Sequence, residues 1–224
     1  MCCLFGIMDY GHKLSRKEKT KILSVLSVAC EERGTDATGI AYNSGGNLKI
    51  YKRPLPAHLL WFKVYEDTNL VMGHTRMTTQ GSERFNQNNH PFSGQAGCTN
   101  FALAHNGVLN NDKRLRRQHD LPATKIETDS YIAVQLLEAS AELSFSSLAS
   151  MAEKLDGSFT ISVMTDQDDL YLVKGDNPIC IYHYEKLGFY IYSHRAQAIV
   201  LSISGVGAVF RDALGGYYRL YHRL

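Results

Sequence analysis

From Ser158 onward the side chains alternate apolar and polar with a period of two, and this stretch most narrows what the chain can become. Four runs carry the alternation: Phe159-Thr160-Ile161-Ser162-Val163, Leu170-Tyr171-Leu172-Val173, Ile179-Cys180-Ile181-Tyr182 and Phe189-Tyr190-Ile191-Tyr192. Successive side chains of a strand point to opposite faces, so each run has a core side, and the Asp-, Gly- and Pro-containing turns between them predict an antiparallel meander. The same chemistry predicts strands over 2–7, 70–74 and 101–105, and a hairpin over 40–51 turning at Ser44-Gly45-Gly46-Asn47. The Tyr-rich stretch Tyr217-Tyr218-Arg219-Leu220-Tyr221-His222 is expected to finish a sheet.

Three helices fall between and beside these strands. Ser15 and Glu18 have capping-box spacing, Ile22, Val25, Leu26 and Ala29 share one face, and Gly34 supplies a stop, which predicts a helix over 15–33. A second runs from a cap at Thr128 or Asp129 to about Ala139, and a third spans about 147–155. The basic run Lys113-Arg114-Leu115-Arg116-Arg117 is expected to be a solvated turn. Strands this apolar need cover on both sides, so the pattern implies an α+β protein whose antiparallel sheets are faced by helices.

The chain of 224 residues is long enough for one sizeable core, and no Pro- or Ser-rich linker divides it, so a single domain over 1–224 is expected. A net charge of +2 with 21% charged residues demands neither a nucleic-acid nor a membrane partner. No leader pattern or spanning apolar segment occurs, and the odd, scattered set Cys2, Cys3, Cys30, Cys98 and Cys180 suits a reducing, cytoplasmic setting. No CxxC is present, and Asp166, Asp168 and Asp169 lack the glycine and final glutamate of a calcium loop, so no metal or cofactor is expected.

Between Thr75 and Asn100 periodicity vanishes, and long unpatterned loops of this kind are functional or disordered. Phe85 and Phe92 are expected to anchor it as an ordered binding loop, and Asn106-Gly107 beyond it suits a turn with positive φ. Cys2 becomes terminal once the initiator Met1 is removed, and its own α-amine, with a pKa of about 7.7 to 8.0, can then accept the thiol proton. Taken alone, Cys2 and Cys3 equally suit two small buried residues opening a strand. Cys2, Arg76, Asn106, Gly107 and Asp129 make a coherent acyl-transfer set: a nucleophile, an amide and a backbone N–H for an oxyanion, and an Arg and Asp able to hold an α-amino acid. A papain-like site using Cys98 with His105 or His90 competes, but it lacks a matching local signature and leaves Cys2, Arg76 and Asp129 unused.

At these residues the chain resembles class II glutamine amidotransferase domains of the N-terminal-nucleophile type, similar to the glutaminase halves of glucosamine-6-phosphate synthase and amidophosphoribosyltransferase. The matching stretches run in order: Met1-Cys2 with Phe5-Gly6; Arg33-Gly34-Thr35-Asp36-Ala37-Thr38-Gly39-Ile40-Ala41; Gly73-His74-Thr75-Arg76 with Thr79, Gly81, Asn88, His90 and Pro91; Ala104-His105-Asn106-Gly107; and Glu127-Thr128-Asp129.

The resemblance implies a four-layer αββα sandwich that hydrolyses L-glutamine to glutamate and ammonia. It assigns Cys2 as nucleophile, Asn106 and Gly107 as oxyanion hole, Arg76, Thr79 and Asp129 as substrate-binding residues, and Arg33 and His90 as supports. It further implies a lid at 76–81 and a separate synthase or acceptor subunit for the ammonia, because no acceptor domain is recognised within the chain. A catalytically silent glutamine-binding or regulatory subunit with the same fold is the alternative, and a homo-oligomer is left open. Three positions depart from the family's pattern: Cys3 stands for a glycine, Met77 for an aromatic and Gln80 for a histidine.

Overall fold

The computed structural model describes residues 2–196 and Ile199. Six strands, β1 (Cys3–Met8), β2 (Ala37–Ser44), β3 (Asn47–Arg53), β4 (Leu70–Arg76), β9 (Cys180–Tyr184) and β10 (Phe189–Ser193), form one antiparallel sheet in the order β3-β2-β4-β1-β10-β9. The other sheet is β5 (Phe92–Ala96), β6 (Thr99–Leu109), β7 (Gly157–Thr165) and β8 (Leu170–Lys174) in sequence order. Helix α1 (Arg16–Cys30) covers the first sheet, while α2 (Asp112–Gln118), α3 (Tyr131–Glu138) and α4 (Phe145–Lys154) cover the second. The expected αββα layering is therefore observed.

Alternation decides which residues meet. In β1, Cys3, Phe5 and Ile7 pack under α1 while Leu4 faces the other sheet. Leu4, Leu70, Met72 and Tyr192 then form the inner layer with Ala102, Ala104 and Met164. Helix α1 starts as predicted, with the Ser15 hydroxyl accepting from the Glu18 N–H and the Glu18 carboxylate accepting from the Ser15 N–H, a motif contributing about 1 kcal/mol. Its first turns are pinned by Lys19, whose buried Nζ lies 3.1 Å from the Asp9 carboxylate and donates to the Thr68 carbonyl at 2.9 Å.

Several expectations are corrected. The 75–100 stretch holds β5, hidden because Ser93, Gly94 and Gln95 are exposed or half-buried on an edge strand, and Phe85 is 59% exposed rather than an anchor. The basic run around Lys113 is helical, with Leu115 alone buried among those five residues. The four C-terminal runs split two and two: after β8 the chain crosses at 175–179 to the other sheet, so they are not one meander. Asn106-Gly107 is no turn; both residues lie within β6, opposite Thr160 and Phe159. Neither Thr128 nor Asp129 caps α3, whose N-cap is Ser130. The stretch 217–222 lies outside the described residues.

Candidate active site

Strand parity carries the site into the space between the sheets. Cys2 continues the Leu4 side of β1, His74 and Arg76 continue the Leu70 and Met72 side of β4, and Asn106 continues the Ala102 and Ala104 side of β6. Cys3 pairs with Thr75, which sets Cys2 beside the Arg76 end of β4.

The half-buried Cys2 thiol accepts from the Met77 N–H at 3.4 Å, and its carbonyl accepts from Arg33 Nε at 3.0 Å. Burial pushes this thiol above its ordinary value; the Met77 N–H and the Arg76 charge pull it back only in part, and the Asp129 charge adds to the rise. At neutral pH it rests protonated and needs a base.

Arg76 is 3% exposed and spans the base of the 76–81 loop. It donates to Asn89 Oδ1 at 2.6 Å and to the Gln80 and Gly81 carbonyls at 2.6 and 3.0 Å, which occupy three of its five N–H donors. Burial lowers its pKa from the usual arginine value. The loop is fixed further by Asp36, which accepts from the Thr78 N–H at 2.7 Å, and by Gln80, which donates to the Glu127 carbonyl at 2.9 Å.

Asn106 is fully buried, yet neither atom of its side-chain amide has a hydrogen-bond partner. An unpaired buried amide costs roughly 1–3 kcal/mol, so such a group points to a ligand that completes it. Its backbone carbonyl accepts from Asn177 Nδ2 at 2.9 Å, which ties the sheet-crossing segment to the site. Gly107 has φ of +148°, and a Cβ there would collide with the Ser158 carbonyl, so only glycine fits.

Asp129 is buried and sends Oδ2 to the Leu109 N–H at 2.6 Å, while Oδ1 accepts from Ser130 Oγ at 3.3 Å. Ser130 Oγ is also hydrogen-bonded to His105 Nδ1 at 2.8 Å, giving a chain from His105 through Ser130 to Asp129. His74 Nε2 donates to the His105 carbonyl at 3.0 Å and bridges the two sheets beside Asn106. His90 is buried between His74 and Phe92, with ring centres 4.2 and 4.4 Å away. Burial holds His74 and His90 well below the ordinary imidazole value, and it holds His194, whose Nδ1 accepts from the Leu4 N–H, at about 4.

Thr79, expected to bind substrate, is exposed, whereas the Thr78 hydroxyl is buried without a partner. Asn89 and Ser130 were missed because their partners in the site, Arg76 and His105, are distant in sequence and leave no local pattern. Cys3 points away from Cys2, its Sγ 2.9 Å from Cys30 Sγ under α1, so it offers no competing thiol beside the nucleophile. Met77 leaves its side chain 47% exposed. Cys98 sits in the exposed turn between β5 and β6, roughly 23 Å along the strand from His105 and with the length of β5 between it and His90, which packs on His74 and Phe92, so it pairs with neither imidazole of the papain-like alternative. Among the described residues no group of three or more His, Cys, Asp or Glu is arranged to hold a metal ion, and no helix is long and apolar enough to cross a membrane.

Two helix-faced antiparallel sheets, with a cysteine opening a central strand, define the fold of the N-terminal-nucleophile amidotransferases. Glutamine phosphoribosylpyrophosphate amidotransferase from B. subtilis shares it, with a TM-score of 0.71 at 21% identity over 89% of this chain and 43% of its own. The family model described as a glutamine amidotransferase domain matches residues 74–200, and the chain belongs to that family. Its relatives include the glutamine–fructose-6-phosphate aminotransferases of Staphylococcus epidermidis, 28% identical over 190 residues, and Sulfurisphaera tokodaii, 30% identical over 190 residues. Each alignment covers 81% of this chain but only 30% and 31% of those proteins, so the chain spans about a third of their length.

Proposed function

We propose that this chain is a glutaminase module that hydrolyses the side-chain amide of L-glutamine through a thioester on Cys2 and passes ammonia to an acceptor on a separate synthase domain or subunit. After removal of Met1 the α-amine of Cys2 takes the thiol proton, and the sulfur attacks the substrate's Cδ. The carbonyl oxygen, now an anion, is met by the Asn106 amide N–H and the Gly107 backbone N–H. The ammonium formed on Cys2 gives its proton to the amide nitrogen as the C–N bond breaks, ammonia leaves, and water then hydrolyses the thioester to glutamate and the free thiol.

Arg76 binds the α-carboxylate with the donors its loop contacts leave unused, and Asp129 receives the α-ammonium. Arg33 holds the Cys2 carbonyl, Thr79 rims the loop, and His90 supports it from behind. The whole sequence 1–224 acts as one such domain, in the cytoplasm, where its thiols stay reduced. By their printed names the relatives use glutamine with fructose-6-phosphate or phosphoribosylpyrophosphate, which supports an ammonia-consuming partner here.

The observation that carries this assignment is the buried Asn106 amide without a partner, on the side of its sheet that faces the sheet Cys2 opens. The test combines intact mass, ammonia release and glutamine binding. Met1 should be absent, Cys2→Ala should release no ammonia while still binding glutamine, and Arg76→Lys should chiefly raise KM. A retained Met1, or unchanged turnover in Cys2→Ala, would overturn it.

A further inference from the structure

A second cation lies behind Arg76, on a strand to which the site has so far assigned nothing. Lys52 sits in β3 opposite Gly39, and its side chain turns inward beneath the 86–91 segment. Its Nζ donates to the carbonyls of Asn89 at 2.5 Å and Pro91 at 2.9 Å, and lies 5.1 Å from the centre of the Phe92 ring. Gly39 leaves the room for this: a Cβ there would collide with the His90 carbonyl and come within 2.7 Å of Lys52 Cβ.

The contacts close a circuit. Asn86 Nδ2 donates to the Lys52 carbonyl at 3.0 Å, and Asn89, held by Lys52 through its carbonyl, uses Oδ1 to accept from Arg76. Neither Lys52 nor Arg76 forms an ion pair among the described residues. The groups facing Lys52 are Arg76 from β4, the neutral His90 and Phe92, with Arg53 beside it on its own strand donating to the Lys52 carbonyl. Glu83, Asp36 and Asp129 act on Arg76 from beyond ion-pair distance, whereas Lys52 is opposed by the Arg76 charge, so two partly desolvated cations side by side favour an incoming anion.

Resting on the glutaminase assignment, we propose that Lys52 is a positioning residue of the α-carboxylate subsite: it fixes Arg76 through Asn89 and supplies the second positive charge that draws the carboxylate in. Burial and the neighbouring Arg76 charge bring the Lys52 ammonium down to about 8. The charged form prevails below that pH, and a bound carboxylate raises the value. Glutamine should therefore bind more weakly as pH climbs through 8, and binding at pH 8 should take up a fraction of a proton.

Calorimetry with glutamine on the mature full-length chain carrying Cys2→Ala tests this, in two buffers of different ionisation enthalpy. Proton uptake is expected to be larger with native Lys52 than in Lys52→Arg, which keeps the charge at all these pH values and shares the terminal α-amine that also titrates near 8, and the Kd of Lys52→Arg should rise less from pH 7 to 8.5. Lys52→Met should weaken binding about tenfold at pH 7.5, an effect absent with glutamine α-amide, which lacks the carboxylate. Equal proton uptake in Lys52→Arg, or equal loss of affinity for the α-amide, overturns the proposal even where Lys52→Met folds poorly. Failure of the Cys2→Ala parent to bind glutamine at all would instead sink the glutaminase assignment.

Discussion

Acid should destabilise this protein already above the range where carboxylates titrate, because its buried histidines are held neutral. His74, His90 and His194 are 1%, 4% and 5% exposed, and desolvation lowers each imidazole, His194 to about 4. The unfolded chain binds these protons near pH 6.5, so the stabilisation is complete above that pH and is lost as pH falls below it; for His194 the loss ends near 4. Each histidine that stays neutral when folded costs about 1.3 kcal/mol between pH 7.5 and 5.5. The three together remove about 4 kcal/mol from a total that in most proteins is 5–15, and His105, also buried and lowered by desolvation, adds to the loss. Urea unfolding at both pH values, analysed at constant m, measures this. His194→Asn places an oxygen where Nδ1 accepts from the Leu4 N–H and removes the titration, so its pH-dependent loss should be smaller by about 1.3 kcal/mol. A parent loss below about 1 kcal/mol, or an identical loss in His194→Asn, would refute the argument.

Asn106→Ala should lower kcat by about 10²- to 10³-fold with little change in KM, since its amide acts on the transition-state oxygen; steady-state ammonia release with thermal melting as a folding control checks this. Lys19→Met leaves the Asp9 carboxylate buried with only the Lys13 and Leu14 N–H donors, so it should destabilise by about 3 kcal/mol in urea unfolding while glutamine turnover in folded protein is unchanged.

What the sequence revealed and concealed follows from how far each signal reaches. The alternation at Phe159, Ile161 and Val163 is local, so β7 was plain, but the destination of β9 depends on a crossing at 175–179 whose anchor, Asn177 on the Asn106 carbonyl, lies 71 residues away. Asn106-Gly107 misled because the backbone freedom that makes a turn also lets a strand pass close to a neighbouring carbonyl. Asp129 looked like a cap because caps and ligands use the same carboxylate, and here it reaches back to the Leu109 N–H. Cys2, Arg76 and Asn106 were legible as an ordered motif set, and parity in the strands then placed them on facing sides. Lys52 carried no motif, since its partners are backbone carbonyls of 89 and 91.

Neither sheet holds the proposed chemistry alone. The first contributes Cys2 and Arg76, the second Asn106 and Gly107, and what fixes one against the other is the inner layer between them. That layer is thin where it matters: Ala41, Ala102 and Ala104 leave room for close approach, and hydrogen bonds from His74 to the His105 carbonyl and from Asn43 to the Thr165 carbonyl stitch the sheets across it. The His74 bond ends on the residue before Asn106, and the Arg33 bond ends on Cys2 itself, so nucleophile and amide are each held by their backbones. Their spacing is thus a property of a packed core and not of a mobile loop, which is the arrangement an oxyanion site requires if it is to act without reorganising.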